Sequence, residues 1–238
     1  MNRISLIRRG VGLSLILCII HCAVAASEAV VLLHGLVRSH ESMEEMGNAL
    51  AAEGYYVLNV DYPSTTTNIE ELSDDVMEAL SEAEDLSRFE KIHFVTHSMG
   101  GILVRSYLSR NEIPNLGRVV MIAPPNQGSE LVDIMGDWWI FEKINGPAGR
   151  ELGTGERATP IRLGPVNFEL GIIAGDRTIN WINSLLIEGP DDGKVSIDHS
   201  KVKGMQDHVI IHATHPFIMK NEEAIRATIR FLESGKFR

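Results

Sequence analysis

The sequence predicts an α/β fold built on a mainly parallel sheet, and three observations carry that expectation. Short apolar runs rich in β-branched residues recur along the chain at strand length. Segments with helical apolar spacing stand between them, and strands alternating with helices imply right-handed crossovers with helices on both faces of one sheet. One run, residues 92–95 (IHFV), passes directly into Thr96-His97-Ser98-Met99-Gly100-Gly101 and then into the helical pattern ILVRSYLSR. A strand, a sharp turn holding a serine, and a helix form the setting in which a G-x-S-x-G match acquires meaning. The strict pattern places glycine where this chain has Thr96, and a helix capped by Ser98 is the plainer reading of the same residues.

The chain has 238 residues, enough for one domain with a sizeable core, and its 44% hydrophobic and 23% charged residues are those of a globular protein. The start is different. Arg3, Arg8 and Arg9 precede an apolar run over residues 11–25 that ends in Ala23-Val24-Ala25. Positive charge, an apolar core and a small-x-small site describe an export signal over residues 1–25, with a retained anchor as the alternative. Both cysteines, Cys18 and Cys22, fall in that leader, so a processed chain over residues 26–238 would hold neither a disulfide nor a thiol nucleophile. The leader also takes with it three positive charges and no acid from a chain of formal charge −10. So acidic a protein is poorly suited to hold nucleic acid through charge.

In order, residues 29–33 (AVVLL) read as a strand, residues 42–53 as a helix stopped by Gly54, and residues 55–60 (YYVLNV) as the next strand. Thr67 and Glu70 have the spacing of a capping box, and Ile69, Leu72, Val76, Leu80 and Ala83 form one apolar stripe beyond it. After the serine turn, residues 118–123 (RVVMIA) form a strand stopped by Pro124-Pro125. The alternation then breaks over residues 126–167, where a short helix near residues 131–144 precedes a loop-like GPAGRELGTG. Strands resume at residues 168–174 and 209–213, and a helix over residues 217–232, begun by Pro216, closes the chain.

Parallel sheets carry their sites at the carboxyl ends of the strands. The turn at His34-Gly35-Leu36 can aim the Leu36 N–H beside Ser98, and the Met99 N–H opens the following helix. Two converging N–H donors make an oxyanion hole, and removing one such donor raises a barrier by about 2.7–4 kcal/mol. A serine nucleophile needs a base, and the base a carboxylate to orient it. His21 lies in the leader, His40 and His199 in expected surface loops, His93 within a strand, and His97 next to Ser98 but pointing away. His215, after the last strand, is the expected base, with His208 its rival; His212 lies within that strand. Asp192, in the turn GPDDGKV, is the expected acid, with Asp176 the stronger rival and Asp191 the weaker. HVIIH and HATH lack the glutamate of a zinc-binding helix, so neither metal nor cofactor is expected.

Taken together, HGL at 34–36, THSMGG at 96–101, PPNQGSE at 124–130, PDDGKV at 190–195 and THPF at 214–217 resemble the bacterial lipases and esterases of the α/β-hydrolase fold. The resemblance implies a compact core of about six strands without the extra leading strands of larger relatives. It implies Ser98, Asp192 and His215 as a triad, and Leu36 and Met99 as oxyanion donors. Residues 126–167 fall where this fold inserts a cap. There, Trp138, Trp139, Ile140 and Phe141 stand in a row, and four consecutive apolar residues cover every face of a helix. Trp138, Trp139 and Phe141 are therefore expected either to bind the substrate or face a lipid surface, or to pack the cap onto the sheet. The function expected is hydrolysis of a small-molecule or lipid carboxylic ester through an acyl-enzyme. Amidase, thioesterase or acyltransferase chemistry on the same residues, or a non-catalytic binding protein, are the alternatives.

Overall fold

The computed structural model describes residues 2–8, 13–18, 27–136, 138–179 and 181–238. In chain order its strands are Asn2–Arg8 (β1), Leu13–Cys18 (β2), Glu28–Leu33 (β3), Tyr56–Asp61 (β4), Lys91–His97 (β5), Leu116–Ile122 (β6), Leu170–Gly175 (β7) and Asp207–Ile211 (β8). They form one sheet in the order β2-β1-β4-β3-β5-β6-β7-β8. The six strands β3 to β8 all run parallel.

Two cores follow from side-chain alternation along these strands. In β3, Ala29, Val31 and Leu33 face one side, where they meet helices Ile69–Ala83 (α2) and Met99–Leu108 (α3) through Leu72, Val76, Ile102 and Leu103. Val30 and Leu32 face the other, against helices Glu44–Ala52 (α1) and Glu222–Ser234 through Met46, Leu50, Phe231 and Leu232. The central strands are apolar throughout because both of their faces are covered.

Three boundaries differ from the sequence expectation for local reasons. Asn68, one residue after Thr67, caps α2 by accepting the Glu71 N–H at 2.9 Å, while the Thr67 hydroxyl bonds the Glu71 carboxylate. The closing helix begins at Glu222, where the Asn221 side chain accepts two N–H groups, and Pro216 belongs to the turn before it. Between β6 and β7 lie helices Glu130–Met135 (α4), Trp139–Arg150 (α5) and Thr159–Arg162 (α6). Residues 146–150 of the expected loop continue α5 beyond a break at Gly146 (φ 64°), immediately before Pro147.

The leading segment also departs from a bare six-strand sheet. β1 lies parallel beside β4, and β2 pairs antiparallel with β1. An edge strand presents unpaired N–H and C=O groups, and an extended apolar segment beside it can take them up. Ala23-Val24-Ala25, the expected processing site, lies outside the described residues. Among the described residues no helix is long and apolar enough to cross a membrane.

Candidate active site

The serine turn forms because β5 and α3 meet with almost no connecting residue. Ser98 is left with φ 53° and ψ −123°, a conformation costly for any residue with a side chain. Gly100 is required by close approach: a Cβ there would stand 2.7 Å from the Leu33 carbonyl oxygen and 2.9 Å from that of His34. Thr96, in place of the usual glycine, is fully buried and projects toward Gly101, which has no side chain to oppose it.

His215 comes to this serine from the turn after β8. Its Nε2 lies 3.1 Å from Ser98 Oγ, and its Nδ1 lies 2.8 Å from Asp192 Oδ2. A carboxylate at Nδ1 places the ring proton there and leaves the Nε2 lone pair facing the hydroxyl. Asp192 is held as firmly as His215. Asp192 Oδ1 accepts the N–H groups of Lys194 (3.0 Å) and Val195 (2.9 Å), and its carbonyl accepts the His215 N–H at 2.9 Å. Asp192 and His215 are 1% and 3% exposed, so water does not compete for these bonds.

The other candidates have separate partners. Asp176 pairs at 2.8 Å with the exposed His212. Asp191 Oδ1 accepts from Ser184 and the Gly193 N–H and so shapes the turn. His208 meets Ser200 at 3.1 Å. His93 is packed inside β5, where it accepts the Arg118 N–H and faces Glu28. His199 lies in a short helix against Glu130, and His40 stands 3.4 Å from Asp61. His97 donates from Nε2 to the His215 carbonyl at 3.0 Å. Burial, and the His215 ring beside it, hold His97 neutral by lowering its pKa well below the ordinary value.

The turn after β3 is clamped from β4. Tyr62 stacks on His34 with ring centroids 4.0 Å apart and donates its hydroxyl to the His34 carbonyl. The Tyr62 N–H donates to His34 Nε2 at 3.3 Å, and His34 Nδ1 donates to the Gly35 carbonyl at 2.9 Å. Burial lowers the His34 pKa to about 4, so the ring is neutral and can serve both as donor and acceptor. Leu36 follows this clamp directly. Met99, at the first position of α3, carries one of the first-turn N–H groups that have no acceptor within the helix.

Ser98 and His215 open into a cavity of about 200 Å³. The cap supplies an apolar wall from Leu131, Val132, Met135, Phe141 and Leu152, while Leu36, Arg38, Lys194 and Val195 come from the loops beside the serine. Trp138 and Trp139 are 58% and 72% exposed and are absent from this lining; Phe141, from the same stretch, is part of it. Trp139 stands two residues before Phe141 and so does not share its face of the helix, and Trp138 precedes the helix in extended conformation. Larger clefts of about 600 and 720 Å³ run along α2 and α3 without touching Ser98.

Sequence reasoning missed Arg38, Lys194 and Tyr62. Lys194 lies inside the PDDGKV stretch, Arg38 two residues after HGL, and Tyr62 just after the expected strand over residues 55–60, which were the only signals available for them.

A search of curated proteins finds no match to the sequence. Among solved structures, lipase BlEst2 of Bacillus licheniformis in its mature form superposes with a TM-score of 0.69 at 19% identity, over 87% of this chain and 92% of that one. The lin2722 product of Listeria innocua gives 0.61 at 16% identity, over 87% and 94%. The metagenomic carboxyl esterase MGS0156 gives 0.62 at 18% identity, over 82% and 66%. At such identities the likeness is one of fold. The profile described as alpha/beta hydrolase fold matches residues 28–149, slightly more than half of the chain, from β3 through the serine turn into the cap. With the parallel sheet and the strained serine between β5 and α3, that match makes the chain a member of the α/β-hydrolase family.

Proposed function

We propose that the chain is a serine hydrolase of carboxylic esters, and that Ser98, His215 and Asp192 act as its triad. The observation that carries the reading is the unbroken relay of 3.1 Å and 2.8 Å from the Ser98 hydroxyl through His215 to the buried Asp192, opening into a partly apolar cavity. Supporting it, two of the structures that share the fold are a lipase and a carboxyl esterase by name.

In this mechanism His215 Nε2 takes the Ser98 proton as Oγ attacks the ester carbonyl. The tetrahedral oxygen is stabilised by the N–H groups of Leu36 and Met99. Collapse expels the alcohol, which receives the proton from His215, and leaves an acyl group on Ser98. Water, activated by the same nitrogen, then releases the acid. Asp192 holds the ring in the productive tautomer and stabilises the imidazolium that forms twice per cycle. The apolar wall from the cap would receive the acyl chain, with Phe141 in direct contact and Trp138 and Trp139 outside, available to a lipid interface.

The test is covalent labelling by an organophosphonate together with a burst of product from an activated ester. Both are expected for the wild type and neither for Ser98→Ala; labelling that persists in the variant would contradict the assignment. The leader supports a further part of the proposal, export from the cytoplasm. Intact mass of the secreted protein should correspond to a chain starting at Ala26.

A further inference from the structure

Two cations line the cavity beside Ser98, and the reaction proposed above uses neither. Arg38 follows the turn that carries Leu36, and Lys194 lies two residues beyond Asp192. Both positions are fixed by the backbone. The Val37 N–H donates to Ser64 Oγ at 3.0 Å, the Lys194 N–H donates to Asp192 Oδ1 at 3.0 Å, and the Lys194 carbonyl accepts from Ser129 Oγ at 2.8 Å. The loops that present the oxyanion donor and the acid therefore each present one positive charge to the same space.

Neither charge forms a direct ion pair among the described residues. Several other cations of this acidic chain are paired, as Arg110 is with Asp74, Lys201 with Asp198 and Lys220 with Glu45. Among the described residues neither the Arg38 guanidinium nor the Lys194 ammonium forms an ion pair or side-chain hydrogen bond, and the cavity lining contains no carboxylate. Asp192, the nearest acid, already commits both oxygens to His215, Lys194 N–H and Val195 N–H. Desolvation and the neighbouring Arg38 outweigh the attraction of Asp192 and hold the Lys194 pKa below its ordinary value, although the side chain is exposed. Both side chains are exposed, so water screens their mutual repulsion, and an anion in the cavity would meet two cationic donors at one place.

We propose that Arg38 and Lys194 form an anion subsite beside Ser98, and that the preferred substrate is an ester carrying a phosphate or carboxylate group near the scissile bond. The cavity is divided accordingly: the cap wall takes the apolar acyl part, and the two cations take the charged part. This rests on the ester-hydrolase reading for its catalytic consequence, but the subsite itself can be measured without turnover.

The experiment has a binding arm and a rate arm. Calorimetry compares octyl phosphate with octanol, both below their aggregation limits, on the wild type, Arg38→Met, Lys194→Met and the double variant. The wild type should bind the phosphate about tenfold more tightly, as one charge-assisted contact of this kind allows. The preference should shrink in each single variant, vanish in the double one, and weaken as salt is raised. In the rate arm, kcat/KM for hexanoylglycerol phosphate over that for hexanoylglycerol should follow the same order. Equal binding of octanol and octyl phosphate by the wild type overturns the subsite. So does a preference that survives in the double variant, and so does binding to anionic vesicles without that preference. If binding discriminates but no ester is cleaved and Ser98 takes no phosphonate, the subsite stands and the hydrolase reading falls.

Discussion

Thr96 and Gly101 compensate for one another across the junction of β5 and α3. A Cβ on Gly101 would stand 3.2 Å from the Thr96 hydroxyl oxygen and 3.1 Å from both Cγ and Sδ of Met121. The bulk that the strict motif excludes at the first glycine position is thus admitted by a glycine on the opposing helix. Gly101→Ala should lower stability by about 1–3 kcal/mol through overpacking, read as a lower urea midpoint. Thr96 Oγ1 is buried without a hydrogen-bond partner, so Thr96→Val should leave the midpoint no lower than that of the wild type. A marked loss in the valine variant would mean that the hydroxyl has a partner after all.

Asp192 and Asp176 provide an internal comparison for the acid. Asp192→Asn should cut kcat on an activated ester by about 10⁴-fold, because it favours the wrong tautomer of His215. Asp176→Asn removes the partner of His212 at the surface and should stay near the wild-type rate. The opposite ranking would move the acid to the loop directly after β7.

Tyr62 acts on the site through His34. Tyr62→Phe keeps the ring stack and removes the hydroxyl that donates to the His34 carbonyl, loosening the turn before Leu36. A fall in kcat of about tenfold with little change in KM is expected, since an oxyanion donor acts chiefly in the transition state. A rise in KM alone would point to a packing role.

Stability should depend on pH through the buried histidines. The unfolded chain takes up a proton at His34 near its ordinary value of 6.5, whereas burial delays uptake in the folded chain to about pH 4. Between those values the unfolded state binds more protons, so stability rises with pH across the window and is lost as pH falls through it. His34 alone contributes on the order of 3 kcal/mol, present in full above pH 6.5. His97, also depressed by burial, acts in the same direction. Urea midpoints measured from pH 7.5 down to 4.5 should decline; a flat or rising series would show that these rings are protonated in the fold.

Arg105 ties the helix behind the serine to the cap. Its guanidinium, 3% exposed, donates to the carbonyl oxygens of Asn126, Pro160 and Gly164 and to Asn126 Oδ1. Burial lowers its pKa to about 10, so it remains charged at neutral pH. Arg105→Met would strand several buried acceptors, each at a cost of about 1–3 kcal/mol. Limited proteolysis should then cut within residues 126–167 sooner than in the wild type, with the rest of the chain cut at an unchanged rate.

Much of this arrangement was readable before folding. Apolar runs such as AVVLL and IHFV mark buried parallel strands because both of their faces are covered, and Ser98 announces itself through the glycines that must follow it. His215 and Asp192 could be shortlisted by their place after strand ends, yet their rivals His208 and Asp176 have equally suitable places along the chain. The fold gives them different partners, since a side chain's direction depends on sheet register and turn shape. β7 and β8 pair from Gly171 with Asp207 to Gly175 with Ile211, and the Asp192 turn then closes onto the His215 N–H.

By itself the sequence determined the parallel α/β architecture, the serine turn and a shortlist of groups able to serve it, because hydrophobic period and turn chemistry are local properties. The tertiary structure alone decided that Gly101 makes room for Thr96, that Tyr62 clamps His34, and that Phe141 enters the cavity while Trp138 and Trp139 stay outside. It also brought Arg38 and Lys194, more than a hundred residues apart, to one wall. Contacts between distant segments depend on how strands and loops meet in space, and no local pattern encodes that.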